Sequence, residues 1–444
     1  MGKFWGMTSR IEAYFLKKGF HKCPYEHTLF VKRGDIEKML IVCLYVDDLI
    51  FTGNDDAMMK EFKKSMMSEF EMSDLGMMHY FLGKEVVQST YGICISQRKY
   101  VQEILDRFKM QDCNPVSTPT EFGLKLNKDH DGKKVDNILY KQIVGSLMYV
   151  TATRPDIMYS VSLISRYMES PTEMHLLAAK RILRYLQGTK DFGLFYKKGK
   201  KLELFGFSDS DYAGDQDDRR STSGYAFLLG TRAVSWSSKK QQIVTLSSSE
   251  AEFIAATACA CQAIWLRRIL EELRSKQVEA TTIFCDNNSA IKLSKNPILH
   301  GRSKHIDVKY YFLRDLSNDG TIKLIYCKSE NQVADILTKP LKPAAFFKLR
   351  SGLCWFSVHV VVTAVVTILV ASLGARQFEP LRLQEMMACL RFSRWHWQLM
   401  PFFNSLAYVN HCLDNILRIA SCNGWDGTDL IPMNFGNGFG MYAI

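Results

Sequence analysis

The spacing of hydrophobic positions changes several times along the chain, and each change marks an element. Ile11, Tyr14, Phe15 and Leu16 group on one helical face. The stretch TLFVKRGDIEKMLIVCLYVDDLIFTG alternates apolar runs with polar turns and predicts strand, turn, strand, turn, strand. A charged amphipathic helix is predicted over residues 55–70, a further hairpin over MMHYFLGKEVVQSTYGICISQ, and another helix over 97–112. PVSTP and the charged stretch around KDHDGKKVD predict a polar linker or flexible loop. Three helices are predicted over 140–149, 156–168 and 174–186, the last rich in Lys and Arg.

From Lys201 the period shortens. LELFGFSD, GYAFLLG, AVSWSS and QIVTL predict four short strands. A long helix follows over 249–274, with Phe253, Ala256, Ala260, Ile264 and Ile269 along one side. TTIFCD then predicts a strand, NSAIKLSK and IDVKYYFLRDLS helices, TIKLIYC a strand and VADILTK a helix. A meander, a long helix and alternating β and α units imply a mixed sheet flanked by helices. With 444 residues there is room for two or three domains.

Charge adds a partner class. The net charge is +11, yet from Ser351 onward five Arg balance five acidic residues with no Lys, so the excess lies before Ser351. A basic body suits a polyanion such as nucleic acid, with an ordinary basic globular protein as the alternative. The 12 cysteines include no C-x-x-C, which argues against a zinc site or disulfide framework and for a reducing compartment. MGKFWGMTSRIEAYFLKKGF lacks the long apolar run of a secretory signal.

The candidate chemistry is carboxylate chemistry. Asp209 and Asp286 end apolar strand-like runs, Glu252 opens the long helix, and Asp335 lies in the short late helix. Each has a structural alternative. Asp209 has acidic neighbours at Asp211, Asp215, Asp217 and Asp218, as in a solvated loop. Ser249-x-x-Glu252 reads as a capping box, and Glu250 competes with Glu252 for a functional role. Asp286, Asn287 or Asn288 could cap the next helix, and Asp335 could be a surface residue. Together the four point to Mg²⁺, because clustered carboxylates repel unless cations neutralise them and Mg²⁺ prefers oxygen ligands. Paired ions flanking a phosphate cleave phosphodiesters. Asp47 and Asp48 occupy the tip of a hairpin in YVDDLIFTG, either as metal ligands or as a solvated turn.

The settings of the four carboxylates resemble those of ribonuclease H, and YVDD resembles the catalytic motif of reverse transcriptases. The motifs KCPYEHTLF, YVDDLIFTG, VGSLMYVTATRPDI, AAKRILRYLQGT, FSDSDYAGD, RRSTSGYAFLLG, SSSEAEFIA, DNNSAI, KHIDVKYYFLR and ADILTKPL are similar to the Pol polyprotein of copia-type LTR retrotransposons, in order, over residues 3–350. The resemblance implies an α+β / α/β chain: a reverse transcriptase palm fragment over 1–115, a helical thumb or connection over 116–198, and a ribonuclease H-like mixed five-stranded sheet over 199–341. It implies that Asp47 and Asp48 are the polymerase metal pair and that Asp209, Glu252, Asp286 and Asp335 are catalytic metal ligands, for Mg²⁺ or Mn²⁺. The implied activity is hydrolysis of the RNA strand of RNA–DNA hybrids, which requires sensing of 2′-hydroxyls. Basic helices between 174 and 201 would contact hybrid phosphates or simply be solvated. The family's polymerase also needs an aspartate from an earlier strand. Before Asp47 the acidic residues are Glu12, Glu26, Asp35 and Glu37, none in a matching context, so polymerisation by this chain alone is not expected. Upstream Pol segments are the implied partners, and the cytoplasm or nucleus, in a virus-like particle, the implied location. CKSENQ lacks the histidine that many ribonucleases H carry before the last aspartate, and His305 has no assigned role. The rival readings are an inactive nucleic-acid-binding relic and a membrane-tethered chimera.

The tail, 342–444, reads as unrelated to the family. LCWFSVHVVVTAVVTILVASL, 21 residues, has the length of a bilayer-spanning helix. The alternatives are translated flanking sequence and a segment buried against a partner.

Overall fold

The structure is a computed structural model that describes residues 2–35, 37–199, 202–230, 232–295, 307–353, 355–357 and 440–443. At its start an amphipathic helix lies on a sheet. α1 (Gly2–Lys17) buries Ile11 and Phe15, whereas Leu16 is 52% exposed. The helical turn explains the difference from expectation: each residue advances about 100°, so Leu16 stands well off the Ile11–Phe15 line. β1 (His21–Lys22), β2 (Leu29–Arg33), β3 (Met39–Tyr45) and β4 (Asp48–Gly53) follow, each antiparallel to the next. α2 (Asp56–Glu69) starts where the Asp55 carboxylate accepts the Met58 amide. Its Met59, Phe62 and Met66 join Ile11, Phe15, Phe30 and Phe51 in a core of their own.

β5 (Ser73–Met77) leads to β6 (Tyr80–Phe81), β7 (Lys84–Ser89) and β8 (Gly92–Ser96), and α3 (Arg98–Arg107) follows. The polar stretch up to residue 136 has no regular helix or strand, but it is fastened down. The Arg184 Nε donates to the Asn114 carbonyl (2.8 Å), Tyr167 Oη to the Leu126 carbonyl (2.9 Å), and Arg181 Nη2 to Thr118 Oγ1 (3.3 Å). Two cations of the basic helix are thus engaged within the chain. The helices are α4 (Asn137–Val150), α5 (Met158–Ser165) and α6 (Glu173–Gln187). β9 (Phe192–Lys197), in a region predicted as helical, pairs antiparallel with β8. Its partner lies far upstream, so nothing in the local period of FGLFYK announced the pairing.

The chain continues with β10 (Leu204–Ser210), β11 (Thr222–Leu229), β12 (Arg232–Lys240), α7 (Ser248–Glu272), β13 (Thr281–Cys285), α8 (Asn288–Leu293), α9 (Asp307–Asn318) and β14 (Ile322–Tyr326). A 3₁₀ turn at Val333–Leu337, predicted as α-helix, and α10 (Pro343–Gly352), which was not predicted, follow. The sheet runs β12-β11-β10-β13-β14. The first three strands form an antiparallel meander, while β10–β13 and β13–β14 are parallel. This is the mixed five-stranded sheet flanked by helices that the sequence implied. α7 covers it with Phe253, Ala256, Ala260 and Ile269 buried.

QIVTL is not a strand. The preceding Gln241 amide is spent on Ser210 Oγ (3.1 Å), Ser223 Oγ (2.9 Å) and the Ala251 carbonyl (3.0 Å), which folds the segment into a connection. Val244 and Leu246 consequently face solvent. Two short strands from the end of the chain join other sheets: β15 (Trp355–Ser357) pairs with β9, and β16 (Gly440–Ala443) lies between β4 and β5. Most of the membrane-length stretch and all of His305 lie outside the described residues. Among the described residues, the helix long and apolar enough to cross a membrane is α7, which is mostly buried as a core helix.

Candidate metal centre

Strand register brings the first two carboxylates together. β10 and β13 run parallel with Phe207 opposite Phe284. Two residues onward from each of these positions stand Asp209 and Asp286, so both leave the same end of the sheet. Asp209 is buried and faces Gly224 on β11. Gly224 is required there, because a Cβ would sit 2.7 Å from Leu337 Cβ and 2.8 Å from Thr338 Cγ2. Its absence lets the turn carrying Asp335 close over β10. Gln332 pins that turn: its amide donates to the Ser208 carbonyl at 2.9 Å, and its oxygen accepts the Ala334 amide at 3.3 Å.

The N-terminus of α7 separates its two glutamates. Ser247, not Ser249, is the cap, accepting the Glu250 amide at 3.2 Å, and Glu250 Oε2 accepts the Leu246 amide at 2.9 Å. Glu250 therefore closes the cap. Glu252 is free of it and turns inward, buried, where the Cys285 thiol points at its Oε2 (3.9 Å). Asp286 does not cap α8 either: Asn287 does, accepting the Ala290 amide, while Asp286 Oδ2 accepts from Ser329 Oγ at 2.7 Å.

Asp209, Asp286 and Asp335 each place a carboxylate oxygen within 4.8 Å of the others. Burial, with Asp209 and Asp286 beside it, pushes Glu252 up to about 10. Burial and the Asp209 charge push Asp335 up to about 8, against the pull of Lys339. Thr338 Oγ1 donates to Asp209. Lys339 Nζ reaches Asp335 Oδ1 at 3.0 Å and Asp209 Oδ2 at 3.5 Å. Burial opposes its charge, yet the two aspartates raise its proton affinity above that of an ordinary lysine. An all-oxygen donor set whose members hinder each other's ionisation fits a hard divalent cation. Gly224, Gln332, Thr338 and Lys339 escaped the sequence reading. The one available signal was Lys339, four residues after Asp335 and so on the same side of a helical turn.

The other acidic residues nearby have structural work. Asp215 is buried between Arg166 (3.1 Å) and Lys240 (2.7 Å). Burial opposes its ionisation, but Lys240 holds it down at about 2. Asp217 accepts the Lys128 amide, and Asp218 pairs with Lys240. Burial, partly relieved by the Thr222 amide, raises Asp211 to about 6.

Asp47 and Asp48 lie elsewhere, at the tight β3–β4 hairpin, where Tyr45 pairs with Asp48. Val46 takes a positive φ of 56°, a strained conformation for a β-branched residue. Burial and then Asp47 raise Asp48 above the usual carboxylate range. Among the described residues no third metal-capable side chain joins this pair.

The fold and site define a helix-flanked mixed five-stranded sheet with clustered carboxylates at one end, preceded in the chain by a lobe of antiparallel strands and helices. Residues 2–122 match the family model "Reverse transcriptase (RNA-dependent DNA polymerase)". The chain is 41% identical over 342 residues to the Retrovirus-related Pol polyprotein from transposon RE1 of Arabidopsis thaliana, covering 77% of this chain and 23% of that protein. It is 34% identical to a putative transposon Ty5-1 protein of Saccharomyces cerevisiae, covering 54% of this chain and 80% of that protein. A solved foamy viral protease-reverse transcriptase in complex with double-stranded DNA aligns at TM-score 0.39 and 12% identity, over 65% of this chain and 46% of that one. The chain belongs to the Pol polyproteins of copia-type LTR retrotransposons. It spans about a quarter of the length of these curated Pol relatives.

Proposed function

We propose that the unit over residues 199–341 hydrolyses the RNA strand of RNA–DNA hybrids in a reaction that depends on Mg²⁺ or Mn²⁺. The observation that carries this reading is the convergence of Asp209, Asp286 and Asp335 within 4.8 Å at one end of a mixed sheet, with Glu252 buried beside them. These four residues would hold the cation, which when bound would supply a Lewis acid for the attacking water and the leaving oxygen. Ser329 and Thr338 orient Asp286 and Asp209 by hydrogen bonds. Gln332 holds the Asp335 turn in place. The basic excess before Ser351 supports a nucleic-acid partner. DNA synthesis at Asp47 and Asp48 is not proposed, because among the described residues no third metal-capable side chain joins that pair.

The test is incubation of the full chain with Mg²⁺ and a hybrid labelled on either strand, beside Asp286→Asn and Asp209→Asn. Cleavage of the RNA strand alone, lost in both variants, is the expected result. A folded parent that binds the hybrid and never cuts it would reduce the site to an inherited geometry.

A further inference from the structure

Lys339 has no part in the set of residues above, yet it occupies the mouth of the centre. Its ammonium bridges Asp335 Oδ1 (3.0 Å) and Asp209 Oδ2 (3.5 Å). Those two carboxylates are nearly fully buried, while the lysine side chain is 37% exposed. The ammonium thus contacts the oxygens that a divalent cation would take, at the end of a flexible four-carbon stem that is partly open to solvent.

We propose that Lys339 is a built-in counter-cation: it neutralises the metal-free centre, and its withdrawal admits the divalent ion. This rests on the metal reading of the site. Two buried aspartates without a cation repel each other, so the metal-free fold gains from the ammonium. The same ammonium repels an incoming ion and competes for the same oxygens. Lys339 is therefore a positioning residue that trades metal affinity for integrity of the metal-free site.

Calorimetric Mg²⁺ titration and thermal melting of the full chain test this, with K339M, K339R and D286N as variants. K339M should bind Mg²⁺ about tenfold more tightly than the parent. It should melt below the parent in EDTA and level with it in saturating Mg²⁺, and K339R should behave as the parent. A K339M that unfolds in EDTA and recovers in Mg²⁺ gives the same answer. Equal or weaker Mg²⁺ binding by K339M, or a melting deficit that Mg²⁺ does not close, overturns the proposal and makes Lys339 an ordinary structural residue. If the parent binds no Mg²⁺, the metal reading itself falls and this inference with it. If parent binding is lost in D286N while K339M matches the parent, this inference alone falls.

Discussion

Arg154 and Asp156 form a bidentate ion pair, Nε–Oδ1 3.0 Å and Nη2–Oδ2 2.8 Å, with both side chains buried. The remaining polar atoms are also matched. Arg154 Nη1 donates to the Thr189 carbonyl at 2.8 Å, and Tyr185 Oη donates to Asp156 at 2.6 Å. Arg350 of α10 donates in turn to Tyr185 Oη, so the pair links the start of α5, the end of α6 and α10. Removing one partner strands a buried charge. Asp156→Ala should cost about 3–5 kcal/mol, read from urea unfolding of the full chain. A loss below about 1 kcal/mol would mean that water replaces the pair freely.

Gly224 separates stability from site geometry. In Gly224→Ala the new methyl meets Leu337 Cβ and Thr338 Cγ2 and must push the Asp335 turn away from Asp209. Overpacking of this kind costs about 1–3 kcal/mol. A displacement near 1 Å at a catalytic group costs about 100-fold in rate. The hydrolysis rate should therefore fall far more than the melting point does. Parent-level hydrolysis by this variant would show that the turn tolerates the methyl.

The cap of α7 predicts a contrast between neighbouring serines. Ser247→Ala removes an acceptor for the Glu250 amide and should cost about 1 kcal/mol, while Ser249→Ala should cost a few tenths. Denaturant midpoints of the two variants decide between them. The reverse order would restore the Ser249–Glu252 box.

His175 carries a pH dependence. Its Nδ1 accepts the Thr172 amide at 2.9 Å, so Nε2 carries the proton toward the Asn127 carbonyl at 2.8 Å. Burial lowers its proton affinity, partly offset by that carbonyl. The folded state thus binds a proton less readily than the unfolded chain. Its contribution is full above the ordinary histidine range near 6.5 and is lost as pH falls through and below it. Thermal melting between pH 7.5 and about 5 should show a decline that is shallower in His175→Gln. Parallel curves for the two proteins would remove His175 from the account.

Much of the architecture was legible in the chain. Period-2 runs located β10, β11, β12, β13 and β14, and helical spacing located α7, because each pattern reflects burial of one face of a single element. The strand-end positions of Asp209 and Asp286 were visible for the same reason. What the sequence could not decide involves partners distant along the chain. The β9 strand exists because β8 offers an edge. QIVTL is a loop because Gln241 spends its amide on three separate segments. The resemblance already favoured Glu252 over Glu250, and the fold supplies the physical reason: Ser247 starts the helix two residues before Ser249, so Glu250 closes the cap. Lys339 sits among carboxylates because Gly224 and Gln332 bring its turn across β10. Periodicity is a local property and registers which face of an element is apolar. Strand pairing, burial of charge and the convergence of side chains depend on contacts between residues far apart in sequence, and those arise only when the chain is folded.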